Sequence, residues 1–243
     1  QERRPMKTRI ILPDTEGISE AGAILRDGGL VAFPTETVYG LGANALDTVA
    51  TKRIYEAKGR PSDNPMIVHV ASIDMLNEVA SDVTDEQKAI MSKLWPGPIT
   101  FVLRKNPAVP DVTTGGLDTV AVRWPSRREA AEIIEAAGVP IAAPSANLSG
   151  KPSPTTFEDV AEDMDGRIDA IVKGERTAIG IESTVLDLTS EVPTILRPGF
   201  ITKSQIEEAA CCEVQYDPSL FKKPGADDFH PKSPGMKYKH YAP

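Results

Sequence analysis

A mixed α/β fold, one open sheet of parallel and antiparallel strands with flanking helices, is predicted by three observations. Short β-rich runs alternate with helical patterns along the chain. Four helix starts carry a Ser or Thr followed three residues later by Glu or Gln, which is the capping-box signature. Two β-rich runs, 184–188 and 194–196, are separated only by a turn-like stretch. That spacing pairs them antiparallel, so the sheet is mixed rather than purely parallel.

The candidate strands are 30–33, 66–70, 99–103, 119–123, 139–142, 170–172, 184–188 and 194–196. A helix over 47–58 is closed by Gly59 and Pro61. Thr84 with Gln87 opens 85–94, and Ser126 with Glu129 opens 127–137, which Gly138 stops. Thr155 with Glu158 opens 156–164, and Thr202 with Gln205 opens 203–211. Gly40-Leu41-Gly42-Ala43-Asn44-Ala45 fits the loose dinucleotide pattern G-x-G-x-x-A. Pro34–Tyr39 intervenes after the strand and no ribose-binding acid follows at the right distance, so these glycines are read as a turn. From about Asp217 the texture changes to Pro, Gly and charged residues, as in a linker or covering strap. Its end still carries two tyrosines and a histidine.

The 243 residues suffice for one large domain or a domain with an appendage. Hydrophobic residues are 40% and charged residues 26%, so a packed core is feasible. The net charge of −8, from 27 basic and 35 acidic residues, argues against non-specific nucleic-acid binding, which depends on neutralising phosphates. The two cysteines, Cys211 and Cys212, are adjacent. A bridge between neighbours is strained and closes no useful loop, so free thiols in a reducing, cytoplasmic compartment are expected. The first six residues lack the apolar core of a signal peptide, and no apolar run approaches a membrane span.

Several short segments carry polar chemistry. Lys58-x-Arg60 and Ser145-x-Asn147 each place polar side chains at i and i+2. Together they would hold a polyanion: a point charge, a planar fork and two short adaptable donors. Taken singly, the first reads better as a solvated helix end and the second as a loop. Thr35, Glu36 and Thr37 follow a buried strand, where α/β proteins bind ligands or simply turn. Asn64 reads as a turn residue and His69 as a core histidine. Arg123 and Arg197 end strands, as surface charges or as anion contacts, and Ser153 shares the loop of Ser145. No P-loop, no Ser/His/Asp order, no thiol–His pair and no metal-ligand spacing occur.

Read as an ordered set, the segments are distinctive. Phe33–Leu41, Lys58–Pro65, Leu94–Thr100, Ala143–Gly150, Glu182–Thr184 and Leu196–Gly199 follow one another. This set resembles the threonylcarbamoyl-adenylate synthase family (YrdC-like domains), across roughly residues 12–212. The segment 233–243 looks like the linker of the longer, two-domain branch, whose smaller Rossmann-like domain is expected to be missing here. The resemblance implies a YrdC-like twisted open sheet around a large concave, basic cavity over residues 1–212, with 213–243 as a strap folding back over it. It implies that L-threonine, bicarbonate and ATP, with Mg²⁺, give threonylcarbamoyl-adenylate and pyrophosphate. The product would pass to a tRNA threonylcarbamoyl transferase, with at most a weak tRNA contact and no membrane.

The resemblance also assigns residues. Lys58, Arg60, Ser145 and Asn147 would be catalytic. Arg60, Asn64, Thr119, Ser145, Ser153, Arg197 and Tyr241 would contact ATP. Thr35, Thr37, His69, Arg123, Ala143 and Ser183 would contact threonine, with His240 and Tyr241 closing from the strap. No resident metal site is implied. Two rivals remain: a carbamoyl-adenylate-forming domain on the same scaffold, and a double-stranded RNA-binding module, against which the net charge counts.

Overall fold

The strands form where the chain is most apolar, and the computed structural model describes residues 6–59 and 64–221. In order these are β1 (Arg9–Ile11), α1 (Thr15–Arg26), β2 (Val31–Pro34), β3 (Tyr39–Asn44), α2 (Thr48–Lys58) and β4 (Ile67–His69). Next come α3 (Ile73–Val79), α4 (Asp85–Leu94), β5 (Ile99–Arg104), α5 (Asp111–Thr114), β6 (Thr119–Arg123), α6 (Arg128–Ala137) and β7 (Ile141–Ala142). The rest are α7 (Phe157–Met164), β8 (Ala170–Val172), β9 (Thr184–Asp187), β10 (Thr194–Arg197), α8 (Lys203–Ala210), β11 (Gln215–Tyr216) and a 3₁₀ turn at Pro218–Phe221. The expected strap beyond Phe221 lies outside the described residues.

The strands make one open sheet in the order β1-β8-β2-β3-β7-β4-β6-β5-β9-β10-β11. β8 pairs in parallel with both β1 and β2, as do β4 with β6 and β5 with β9. The pairs β2/β3, β3/β7, β4/β7, β5/β6 and β9/β10 are antiparallel. The predicted mixed α/β sheet and the antiparallel 184–188/194–196 pair are therefore both present. The sheet also continues past residue 212, because β11 adds in parallel to β10.

Local rules explain most helix ends. Thr84 and Thr202 form the predicted capping boxes with Gln87 and Gln205. Gly59 and Gly138 end α2 and α6 in the left-handed region, at φ +67° and +69°. α6 buries Ala130, Ile133, Ile134 and Ala137 on one face against α1 and β2. Two helices were invisible to a capping-box search. Asp14 caps α1 by accepting from the Gly17 N–H at 2.8 Å, and Ser72 caps α3 by accepting from the Met75 N–H at 3.1 Å. Neither helix has an acid or amide three residues after its cap. Thr156, not Thr155, caps α7, because its hydroxyl is the one within reach of the Asp159 N–H at 3.2 Å.

The predicted turn at Gly40 and Gly42 is instead strand β3, paired on both sides. The glycines are there for space. A Cβ on Gly42 would lie 2.7 Å from Phe33 Cε1 and 3.0 Å from Ile141 Cγ2. Gly199 is under a harder constraint, since its Cβ would meet Thr184 N at 2.5 Å and Glu182 O at 2.9 Å. Backbone atoms cannot swing aside as a side chain does. Gly199→Ala is therefore expected to cost about 1–3 kcal/mol, read as a lowered urea midpoint, with no change in midpoint as the contrary result.

Register sets up one face of the sheet. His69 stands opposite Arg123, which stands opposite Thr100 on its other side. Paired residues project to the same face, so these three side chains share it. Two residues back along the strands, Ile67, Ala121 and Val102 follow in register. With Val185 and Leu196 they form a small apolar cluster distinct from the main core.

Candidate active site

A half-open cleft lies over that face. Its rim comes from the loop between β2 and β3, the ends of β4 and β6, the segment after β7 and the segment before β9. In the first loop, the Thr35 hydroxyl donates to Val38 O at 2.7 Å and accepts from the Thr37 N–H at 3.2 Å. This tight turn holds Thr35 Oγ1 and Thr37 Oγ1 3.0 Å apart, both in the cleft wall.

Arg123 ends β6 inside the cleft and is 4% exposed. Its Nη1 donates to Thr37 Oγ1 at 2.9 Å, its Nε to Gly97 O at 3.4 Å, and its Nη2 to Glu36 Oε1. Burial pushes the guanidinium pKa down, Glu36 pulls it back up, and the charge of Arg197 adds to the fall. It stays a cation, since arginine does not deprotonate in proteins.

His69 lies beside Arg123 in the cleft wall, fully buried. Its Nδ1 is 3.2 Å from Ile67 O, a hydrogen bond that forms in the tautomer with the proton on Nδ1, since a carbonyl only accepts. Burial, reinforced by the Arg123 charge, pushes the imidazole down to about 3. The sign of the linkage follows. Between about pH 6.5 and 3 the unfolded chain binds a proton at this residue and the folded chain does not. The stability present above pH 6.5 is thus lost as pH falls, by up to about 1.4 kcal/mol per pH unit from this one group. Urea midpoints followed from pH 7 to pH 4 are expected to fall less steeply in His69→Gln. Equal slopes in the two proteins would contradict it.

On the opposite wall, Arg197 donates from Nη1 to Glu182 Oε2 at 2.6 Å, and from Nε and Nη2 to Ser183 O at 3.0 and 2.8 Å. The Ser183 and Thr100 hydroxyls lie 2.7 Å apart. Ser153 donates to Glu182 Oε1 at 2.9 Å. The described lining thus carries two guanidinium groups, each paired to a carboxylate, and one neutral imidazole. Ala143, Pro144 and Ser145 line the third side. Behind them Lys58 is buried. Its ammonium donates to Ser145 O and stands 3.5 Å from Asn147 Oδ1. Asn147 in turn donates to Leu148 O at 2.8 Å and Lys151 O at 2.9 Å. Lys58 and Asn147 are therefore the base of the 145–147 loop.

A family model described as "Telomere recombination", for Sua5, YciO and YrdC proteins, matches residues 23–199. The chain belongs to the Sua5/YciO/YrdC family. A second model, "Threonylcarbamoyl-AMP synthase, C-terminal domain", matches residues 201–243. The threonylcarbamoyl-AMP synthase of Pyrococcus abyssi is 54% identical over 223 residues, 92% of this chain and 64% of the relative. That of Bacillus subtilis is 53% identical over 227 residues, 93% of this chain and 64% of the relative. The chain thus spans slightly less than two thirds of the length of these relatives. The crystal structure of P. abyssi Sua5 complexed with L-threonine superposes with a TM-score of 0.91 at 51% identity, covering 97% of this chain and 69% of that one.

The Sua5/YciO/YrdC cleft gathers Thr35, Thr37, His69, Arg123, Ala143, Ser145, Ser183 and Arg197 from the residues singled out in the sequence. Ser153 joins them through Glu182. Thr119 is at the other end of β6, about 13 Å from Arg123 by strand rise. Asn64 is buried before β4, and its Oδ1 has no hydrogen-bond partner among the described residues. Its carbonyl accepts from the Tyr55 hydroxyl. Arg60, His240 and Tyr241 lie outside the described residues.

Sequence reading gave Glu36 only a place in the 35–37 segment, and missed Ser126, Thr100 and Gly97 as parts of the site. Ser126 had been assigned to a capping box with Glu129, but α6 has no side-chain cap. The Ser126 hydroxyl bonds Glu36 Oε2 instead, and its N–H does so at 2.7 Å. As for Mg²⁺, the one carboxylate among the described lining residues, Glu182, is engaged by Ser153 and Arg197. Among the described residues no cluster of three His, Cys, Asp or Glu could hold a metal. The donor set does not fit a protein-bound divalent ion, and no helix among the described residues is long and apolar enough to cross a membrane.

Proposed function

We propose that the chain is the catalytic part of an L-threonylcarbamoyladenylate synthase, a nucleotidyltransferase that supplies an activated threonylcarbamoyl group for tRNA modification. The observation that carries the reading is the Arg123 guanidinium, buried and held on three sides, beside Thr37, His69 and Ser183 in one cleft. A fixed fork with neighbouring hydroxyls suits an α-amino acid whose side chain carries a hydroxyl. The names of the curated relatives and the L-threonine bound to a 51% identical one point the same way.

In this reading the neutral threonine amine attacks the carbon of bicarbonate, and water leaves. The carbamate oxygen then attacks the α-phosphorus of ATP, the bond from that phosphorus to the α,β-bridging oxygen breaks, and pyrophosphate departs. Charge spreads over phosphate oxygens, so positioning and electrostatic stabilisation carry the catalysis. Arg123, Thr37, Thr35, His69, Ala143 and Ser183 hold threonine. Ser145, Ser153, Arg197, Asn64, Thr119, Arg60 and Tyr241 face ATP, and Lys58 with Asn147 sets the 145–147 loop against its phosphates. Mg²⁺ belongs with the triphosphate, since it binds through few protein carboxylates and many phosphate oxygens. The catalytic unit, expected over residues 1–212, extends to the edge strand β11, and the residues after it to 243 serve as the strap. The product passes to a tRNA threonylcarbamoyl transferase in the cytoplasm.

The test is pyrophosphate release from ATP by the purified chain, with labelled bicarbonate, in the presence and absence of L-threonine. Threonine-dependent release with label incorporated is expected. Turnover driven by carbamoyl phosphate instead would assign the cleft to a carbamoyl-adenylate-forming domain. Salt-dependent binding of double-stranded RNA without ATP turnover would make it an RNA-binding module.

A further inference from the structure

Glu36 is a buried acidic residue beside the cleft to which the proposed chemistry gives no task. It is 9% exposed, and a buried carboxylate needs partners. Glu36 has three: Oε1 accepts from Arg123 Nη2, and Oε2 accepts from both the N–H and the hydroxyl of Ser126. Its own main chain is fixed too, because Glu36 O accepts from the Ile179 N–H at 3.0 Å and Thr37 O from the Gly180 N–H at 3.0 Å.

The consequence falls on Arg123. A guanidinium has five N–H groups. Gly97 O takes the one on Nε, Thr37 Oγ1 takes one on Nη1, and Glu36 takes one on Nη2. Among the described residues nothing takes the other N–H on each terminal nitrogen. Without Glu36 the long side chain would trade this single pose for several, and a bidentate contact depends on the pose. Ser126 extends the device, because its bonds to Glu36 tie that pose to the start of α6.

We propose that Glu36 is a positioning residue for substrate. It locks Arg123 so that the two remaining N–H groups present a preformed fork to the carboxylate of an amino acid, while ATP is held by other groups. The amino-acid part of this rests on the synthase reading; the locking of Arg123 does not.

Two measurements separate the parts. In the ligand-free protein, the Nε–H of Arg123 is expected to give one protected signal by ¹⁵N NMR, assigned by its loss in Arg123→Lys, and its absence would overturn the locked pose. In Glu36→Gln that signal is expected to broaden or to exchange faster. An unchanged signal overturns the proposal, whether or not threonine binds. In titration calorimetry, Glu36→Gln is expected to weaken L-threonine binding about tenfold to a hundredfold. The ATP affinity should stay within about threefold, and in turnover KM for threonine should rise more than kcat falls. Equal weakening of both ligands would mark a merely structural role and refute the proposal. Wild-type protein that ignores threonine would defeat the synthase reading, and the NMR result would still stand. Should Glu36→Gln not fold, Ser126→Ala removes one donor with no change of charge. It is expected to show the same selective loss of threonine affinity at a smaller size, and a wild-type threonine affinity there would overturn the proposal.

Discussion

Lys58→Ala is expected to lower threonine-dependent pyrophosphate release by about a hundredfold or more, the usual scale for removing one donor from a reacting anion's surroundings. The geometry says how. Lys58 is 2% exposed at the end of α2, and its ammonium reaches Ser145 O and Asn147 Oδ1. Ser145 faces the cleft. Removing the ammonium therefore deletes a positive charge beneath the loop and leaves the half-buried Ser145 carbonyl without that donor. An acceptor stripped of its partner costs at most about 1–3 kcal/mol, which a domain of this size should withstand. Lys58→Met keeps the apolar stem and loses only the charge and its donors, so it should match Lys58→Ala in rate while unfolding at higher urea. Near-wild-type turnover in both variants would remove Lys58 from the mechanism.

The difference between what was legible in the sequence and what was not has a physical pattern. Strands such as Thr119–Arg123 and Ala170–Val172 were readable with their bounds because they are runs of apolar and β-branched residues. The antiparallel pair of β9 and β10 followed from the short connection. β3 was not readable, because Gly40 and Gly42 carry turn propensity and only tertiary crowding, by Ala143 at Gly40 and by Phe33 and Ile141 at Gly42, explains them in a strand. The site shows the same divide. His69, Arg123 and Ser183 could be singled out, but nothing in the order of residues says that Thr100 would meet Ser183, 83 positions away. Ser126 is the clearest case. A local rule gives its hydroxyl to a helix N-terminus, and the fold gives it to Glu36, 90 positions away. A local rule that fails is most informative when the atom it claimed turns up at a functional site.

Arg123→Ala is expected to abolish measurable L-threonine binding and to cost about 3–5 kcal/mol of stability, the scale for removing one member of a buried ion pair. The two effects have different origins and can be separated. The stability loss comes from Glu36, whose carboxylate would remain buried with only the donors of Ser126. The binding loss comes from the fork itself. Pairing the substitutions discriminates between them. Arg123→Met with Glu36→Gln removes both charges and keeps most of the volume, and neutral replacement of a buried pair is often tolerated or even favourable. The double variant should regain most of the lost urea midpoint and still bind no threonine. If it regained threonine binding together with stability, Arg123 would be only a structural cation, and the cleft would have to hold the amino acid through its hydroxyls alone. If Arg123→Ala left the midpoint unchanged, the Glu36–Arg123 contact would not be a buried ion pair in solution.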